Sequence, residues 1–218
     1  MKKIKTSCYA FGLAIAMMAS CQSGQKVADT TVSGLNPAAF DSTINGKKTA
    51  LFTLKNSNGM EVCITNFGAR VVSLVVPDKD GKPTDVVLGY DNIAQYADIE
   101  NSPSDFGSSV GRYANRINQG KITVDGKEYQ LPQNNFGHCL HGGPTGWMYQ
   151  VYEAEQVNDS TLKMTIVSPD GDNGFPGTVT ATTTYTLLSN NTLDIVWEAT
   201  TDKETTINQT NHSYPNLN

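Results

Sequence analysis

Three histidines, His138, His141 and His212, are the residues of this 218-residue chain most suited to moving protons at neutral pH, because imidazole is the one side chain that normally titrates there. The first two sit in His138-Cys139-Leu140-His141, which raises a zinc reading and a thiol reading. In a strand, residues three apart point to opposite faces, so these two imidazoles do not converge without a turn. No further Cys or His pair stands at a ligand spacing, and a Cys139–His nucleophile would need a positioned base and an oxyanion site that adjacency does not supply. Asp170-Gly171-Asp172-Asn173-Gly174 has the opening of a calcium loop, but its fifth position is Gly174 and its twelfth Ala181, where oxygen donors are required. It reads as a glycine-rich turn. No metal and no cofactor is expected.

In order along the chain, the motifs are more specific than any one of them. They are Asn66-Phe67-Gly68-Ala69, Gly111-Arg112-Tyr113-Ala114-Asn115-Arg116-Ile117, His141-Gly142-Gly143-Pro144-Thr145-Gly146-Trp147, Ser168 through Gly177, and Asn211-His212-Ser213-Tyr214. This series resembles the aldose 1-epimerase (galactose mutarotase) family: its second-strand turn, its arginine motif, its His-Gly-Gly loop, its glycine-aspartate signature and the start of its catalytic histidine motif. The resemblance covers most of residues 50 to 214.

The resemblance implies an enzyme that interconverts the α and β anomers of free hexoses such as galactose and glucose. Anomer exchange opens the ring: a base takes the proton of the C1 hydroxyl, an acid protonates the ring oxygen, and the ring recloses on the other face. By the resemblance His212 is the acid. Arg116 and His141 hydrogen-bond the sugar and steady the developing alkoxide, Asn115 orients hydroxyls, and Ser213 and Tyr214 shape the pocket beside the acid. The chain departs from the family in two places. Pro215 stands where the family has phenylalanine, removing a donor and restraining Tyr214 towards extended geometry. The family's general base is a glutamate far beyond this point, with no matching position among these residues. The chain is therefore expected to be an amino-terminal portion of such a protein with little activity by itself. A carbohydrate-binding β-sandwich without catalysis is the alternative.

The elements that must position these residues are strands. Runs at Leu51–Leu54, Met60–Thr65, Val71–Val76, Val86–Tyr90, Ile122–Val124, Lys127–Leu131, Tyr149–Val157, Leu162–Val167, Val179–Leu188, Leu193–Ala199 and Thr205–Asn211 are separated by turn signals, among them Asp125-Gly126, a strong hairpin dipeptide. Met60, Val62 and Ile64 share one face, the period of a half-buried strand. One brief helix is expected at Asn92–Ile99. Short strands with turns about every ten residues point to an all-β sandwich or barrel. By the resemblance it is the large antiparallel β-sandwich of the galactose mutarotase-like group with its carboxy-terminal part missing, which would leave sheet edges exposed.

The amino terminus is a separate object. Lys2, Lys3 and Lys5 precede a short apolar run, Phe11–Ala19, and then Met18-Ala19-Ser20-Cys21, the pattern of a lipoprotein signal peptide. Residues 1–20 are expected to be removed, Cys21 to carry lipid, 21–48 to form a tether, and 49–218 to form the domain. The expected location is the bacterial cell envelope, with membrane contact only through the lipid. Loss of the three signal lysines takes the formal net charge from −5 to −8. With no basic run, nucleic acid is not an expected partner; a neutral sugar is, and a monomer is expected. Cys63 and Cys139 remain in the body, two buried thiols rather than a disulfide framework.

Overall fold

The structure is a computed structural model that describes residues 30–101 and 103–217. The signal peptide and Cys21 lie outside the described residues. Among the latter, no helix is long and apolar enough to cross a membrane.

Two four-stranded antiparallel sheets carry the fold. The first is ordered β3 (Leu51–Lys55), β4 (Glu61–Thr65), β5 (Arg70–Pro77), β6 (Pro83–Asp85), and the second β12 (Glu153–Asn158), β13 (Thr161–Ser168), β14 (Val179–Leu187), β15 (Leu193–Thr201). Their facing side chains form one core: Leu54, Val62, Ile64 and Val71 from the first sheet meet Leu162, Met164, Ile166, Ala181 and Tyr185 from the second. The period of two does this. In β13 the side chains of Leu162, Met164 and Ile166 are buried, and in β14 those of Val179, Ala181, Thr183, Tyr185 and Leu187, while the residues between face outward. The Tyr185 hydroxyl donates to Ala69 O at 2.6 Å, so the polar end of a fully buried ring is satisfied across the sandwich. At one edge, β15 pairs with β14 and no other described strand.

Val71 and Leu74 both pack on this core although three residues apart. The β4–β5 register slips between Cys63 and Ile64, pairing Cys63 with Ser73 but Ile64 with Val71. The extra residue in β5 reverses the parity of everything after it.

The expectation that β4 is half-buried needs correction. All five of its residues are buried, because residues 30–50, most of which fall in the 21–48 span read from sequence as a tether, cover the outer face. A 3-10 turn, Pro37–Phe40, leads into a hairpin of β1 (Ser42–Ile44) and β2 (Lys47–Thr49) across Asn45-Gly46. Phe40 is fully buried beside Phe67, Val72, Ile93 and Tyr96. Val32 N–H donates to Glu61 Oε1 at 2.7 Å, and burial, with Glu61 beside it, pushes the Cys63 thiol up to about 11. Both body cysteines are free and buried.

The short helix is α1 (Ile93–Ala97), capped by Asn92 Oδ1 on Gln95 N–H at 3.0 Å. The hairpin at Asp125-Gly126 joins β9 (Lys121–Val124) to β10 (Lys127–Gln130). The strand expected over 86–90 is absent: only Val87 makes an isolated bridge, to Pro215. The span 149–157 opens with a 3-10 turn, Trp147–Tyr149, before β12, and 205–211 yields an isolated bridge from Asn208 to Tyr113 and the short β16 (Thr210–Asn211). Three further two-residue strands matter for the site: β7 (Ser109–Val110), which pairs with β16, and β8 (Arg116–Ile117), which pairs with β11 (Cys139–Leu140).

Candidate active site

Two small ladders bring the sequence motifs together. The β8–β11 ladder ends with Asn115 opposite His141. His141 N–H donates to Asn115 O at 3.1 Å, and Asn115 N–H donates to His141 Nδ1 at 2.9 Å. Both residues have positive φ, 65° and 51°, so each strand turns away just past this reciprocal pair. The β7–β16 ladder brings in His212, whose N–H donates to Ser108 O at 2.8 Å and whose carbonyl accepts Gly107 N–H at 3.0 Å. Asn211 braces the turn after it, donating from Nδ2 to Gly107 O at 2.8 Å and accepting Ser213 N–H at 2.9 Å.

Between the ladders the packing leaves no room for a side chain. A Cβ on Gly111 would stand 2.0 Å from Trp147 Cε3, and one on Gly142 2.3 Å from Gly111 O. The His-Gly-Gly loop thus lies directly on the arginine motif, and Trp147 N–H ties back to Gly111 O at 3.0 Å.

The two imidazoles meet edge to face, with centroids 5.2 Å apart and planes at 88°. The Tyr214 ring stacks on His212 at 5.2 Å and 28°, and Phe106 meets Tyr214 edge-on at 5.1 Å. With Pro215 next to it, Tyr214 still stacks on His212. Leu88 N–H donates to Tyr214 O at 3.1 Å and Asn216 N–H to Val86 O at 2.8 Å, so the segment uses the carbonyl before the proline and the N–H after it, and the missing proline N–H falls between them.

The hydrogen bond to Nδ1 fixes the His141 tautomer. A backbone N–H can only donate, so Nδ1 holds a lone pair and the neutral ring carries its proton on Nε2. Burial lowers the pKa of His141 below its ordinary value; Asp105 opposes that shift, while His212 and Arg116 add to it. His141 therefore presents a neutral Nε2–H donor. Arg116 is exposed, with Nε donating to Asn135 Oδ1 at 2.9 Å, and forms no ion pair among the described residues. That holds one edge of the guanidinium while leaving the fork for a ligand. Asn115 Oδ1 accepts Arg116 N–H at 2.8 Å, and Ser213 is half-buried next to the acid candidate.

Arg112, in the same motif, does different work. It is 2% exposed and its terminal nitrogens donate to Pro176 O, Gly177 O, Ser168 O, Ser168 Oγ and Pro169 O at 2.6 to 3.2 Å. It clasps the glycine-aspartate signature, whose Asp170 is turned to Lys203 at 2.8 Å and Gly177 N–H at 2.6 Å. His138 lies apart, accepting Gln119 N–H at 3.1 Å. A cavity of about 690 Å³ lies beside the amino-terminal hairpin, lined by Ser42, Lys48, Asn66 and Tyr152 among others, and neither motif histidine borders it.

Asp105 is the residue that sequence reasoning missed. Its Oδ2 is 3.9 Å from His141 Nε2, and ligand-type atoms of Asp105, His141 and His212 all lie within 4.8 Å of one another. A cation there would need the lone pair of Nε2, which carries the proton while Asn115 holds Nδ1. In that tautomer His141 offers the cluster a donor rather than a lone pair. Asp105 belongs to none of the recognised motifs, and a single aspartate in a Ser-Pro-Ser-Asp loop carries no signal of its own.

The aldose 1-epimerase family model matches residues 50–218. The chain belongs to the aldose 1-epimerase family. It is 37% identical over 173 residues to the aldose 1-epimerase of Escherichia coli K12, covering 79% of this chain and 49% of that protein. It is 42% identical over 161 residues to the galactose mutarotase of Rattus norvegicus, covering 74% and 46%. Among solved structures, an aldose epimerase homologue from C. elegans superposes with a TM-score of 0.73 at 35% identity, covering 78% of this chain and 51% of that one. The galactose 1-epimerase of Lactobacillus acidophilus gives 0.71 at 30%, covering 81% and 51%. The family fold is thus the all-β, mutarotase-like sandwich, and the chain spans about half the length of the relatives it matches.

Proposed function

We propose that this chain supplies the sugar-binding and proton-donating half of an aldose 1-epimerase acting on free hexoses. The observation that carries the reading is the His141–His212 pair. Two imidazoles 71 positions apart in the sequence meet at 5.2 Å, one a neutral donor by its hydrogen bonding and the other stacked on Tyr214. In this reading His212 gives its proton to the ring oxygen as the C1 hydroxyl loses one to a base. His141 Nε2–H and the Arg116 fork hydrogen-bond the sugar and stabilise the oxygen that gains charge. Asn115 holds His141 in the required tautomer through its backbone as well as lying beside the sugar. The base is a glutamate in the family, and none of the present residues matches it.

The test is polarimetry of freshly dissolved α-D-galactose, with binding followed in parallel by NMR titration. Binding lost in His141→Ala and Arg116→Ala supports the reading. Sugar binding without any rate, even when the chain is joined to a relative's second half, favours the carbohydrate-binding alternative. No binding at all would remove both.

A further inference from the structure

The loop that carries Asp105 is fixed from every side, yet its carboxylate has nothing to bind. Arg70, fully buried, donates to Ser104 O at 2.8 Å and Phe106 O at 3.1 Å, the carbonyls on either side of Asp105, and to Met148 O at 2.7 Å. Asp105 O accepts Ser108 N–H at 3.1 Å and Ser108 Oγ–H at 2.8 Å. Next, Gly107 packs so closely on β5 that a Cβ would stand 1.9 Å from Val71 O. The side chain itself is 26% exposed. Its Oδ1 is buried without a hydrogen bond, and its Oδ2 lies 3.9 Å from the Nε2–H of His141, too far for one.

A carboxylate offers about four acceptor sites, and keeping the oxygen Oδ1 out of water with no donor is costly. Native structures keep such groups where something else supplies the donors. The surroundings say what that is. The neighbouring groups are a neutral imidazole donor, a second imidazole, the phenol of Tyr149, whose pKa is raised by burial and then by Asp105, and the buried Arg70, which feels the carboxylate but spends its terminal nitrogens on backbone carbonyls and forms no ion pair with it. None is a cation in contact, and the proton on His141 Nε2 disfavours a metal. A ligand rich in hydroxyl donors fits. We propose that Asp105 is a sugar-binding residue that accepts hydrogen bonds from a hydroxyl of the hexose held between His141 and His212. This rests on the sugar-binding reading above and adds to it a contact that none of the recognised motifs contains. Because the carboxylate lies beside the group assigned to the ring oxygen, it selects sugars carrying a particular hydroxyl, not aldoses in general.

The experiment is NMR titration of the 218-residue chain, and of Asp105→Asn and Asp105→Ala, with D-galactose and its 2-, 3-, 4- and 6-deoxy analogues. Asp105→Asn preserves shape, and thermal unfolding checks that both variants are folded. The proposal predicts that Asp105→Ala weakens galactose about ten- to a hundred-fold, the range for a hydrogen bond to a charged group. It also predicts that one deoxy sugar binds the wild type as weakly as galactose binds Asp105→Ala, with no further loss when the two changes are combined. If wild type binds galactose and both variants match it within twofold, or lose all sugars by one common factor, Asp105 is not a sugar contact and the inference is overturned. If wild type binds none of the sugars, the sugar-binding reading fails, and this inference with it.

Discussion

At the scale of single residues, the two arginines of one motif separate cleanly. Arg112 is buried and fills several carbonyls of the 168–177 loop, so Arg112→Ala leaves those acceptors unpaired and is expected to cost about 3 kcal/mol or more, read as a lowered urea midpoint. Arg116 is exposed, so Arg116→Ala should change stability by no more than about 0.5 kcal/mol while weakening sugar binding. His141 gives a pH signature. Its folded pKa lies below the ordinary 6.5, so the unfolded chain takes up a proton that the folded one refuses. Its contribution is complete above about 6.5 and is lost as pH falls towards the folded value. Protonation of Nδ1 would also break the bond from Asn115. The stability gap between wild type and His141→Gln should therefore narrow between pH 7.5 and pH 5; a gap that widens would contradict the assigned tautomer. His141, His212, Asn115 and Arg116 could be named as candidates from the sequence because each sits in a spaced motif. Asp105 and Arg70 could not, since their roles depend on a loop geometry that leaves no pattern.

At the scale of elements, alternation in β13 and β14 and the turn dipeptide at Asp125-Gly126 made those strands readable. Where apolar runs were read without alternation, as at Val86–Tyr90, the chain instead forms a single bridge to Pro215. The amino-terminal hairpin was missed for a different reason. Its strands are three residues each and mostly exposed, so no period develops, and Asn45-Gly46 was the one available signal. Phe40 anchors that segment. Phe40→Ala should cost about 3 to 5 kcal/mol and expose the Cys63 thiol to alkylation; slow alkylation in the folded variant would show that 30–50 is not a needed cover. Gly142 has φ +81° and abuts Gly111 O. Gly142→Ala should shift the loop bearing His141 and abolish sugar binding even in protein that remains folded by circular dichroism.

At the scale of the whole molecule, two sheets enclose a shared core and a cover of 30–50 closes the outer face of the first. The site sits where β7, β8, β11 and β16 gather the motif ends. The set of motifs, more than any periodicity, carried the family, and in the structure two of them interlock: Gly111 of the arginine motif packs against Gly142 and Trp147 of the His-Gly-Gly loop. The basic, apolar and small-residue sequence before Cys21 leads us to propose lipid attachment there. Labelled fatty acid is expected on the wild type and not on Cys21→Ala, and equal labelling of both would contradict it.

The central claim is that His212 is the acid of a mutarotase whose base is not among these residues. The direct measurement is the polarimetric rate with α-D-galactose for the 218-residue chain and for the chain joined to the second half of the Escherichia coli relative, each with and without His212→Ala. The account predicts little rate in the first and a fast rate in the second. In the joined protein His212→Ala should cost about a hundred- to ten-thousand-fold, the range for a positioned acid or base. A joined protein that stays fast without His212, or a 218-residue chain that is already fast by itself, would contradict the account.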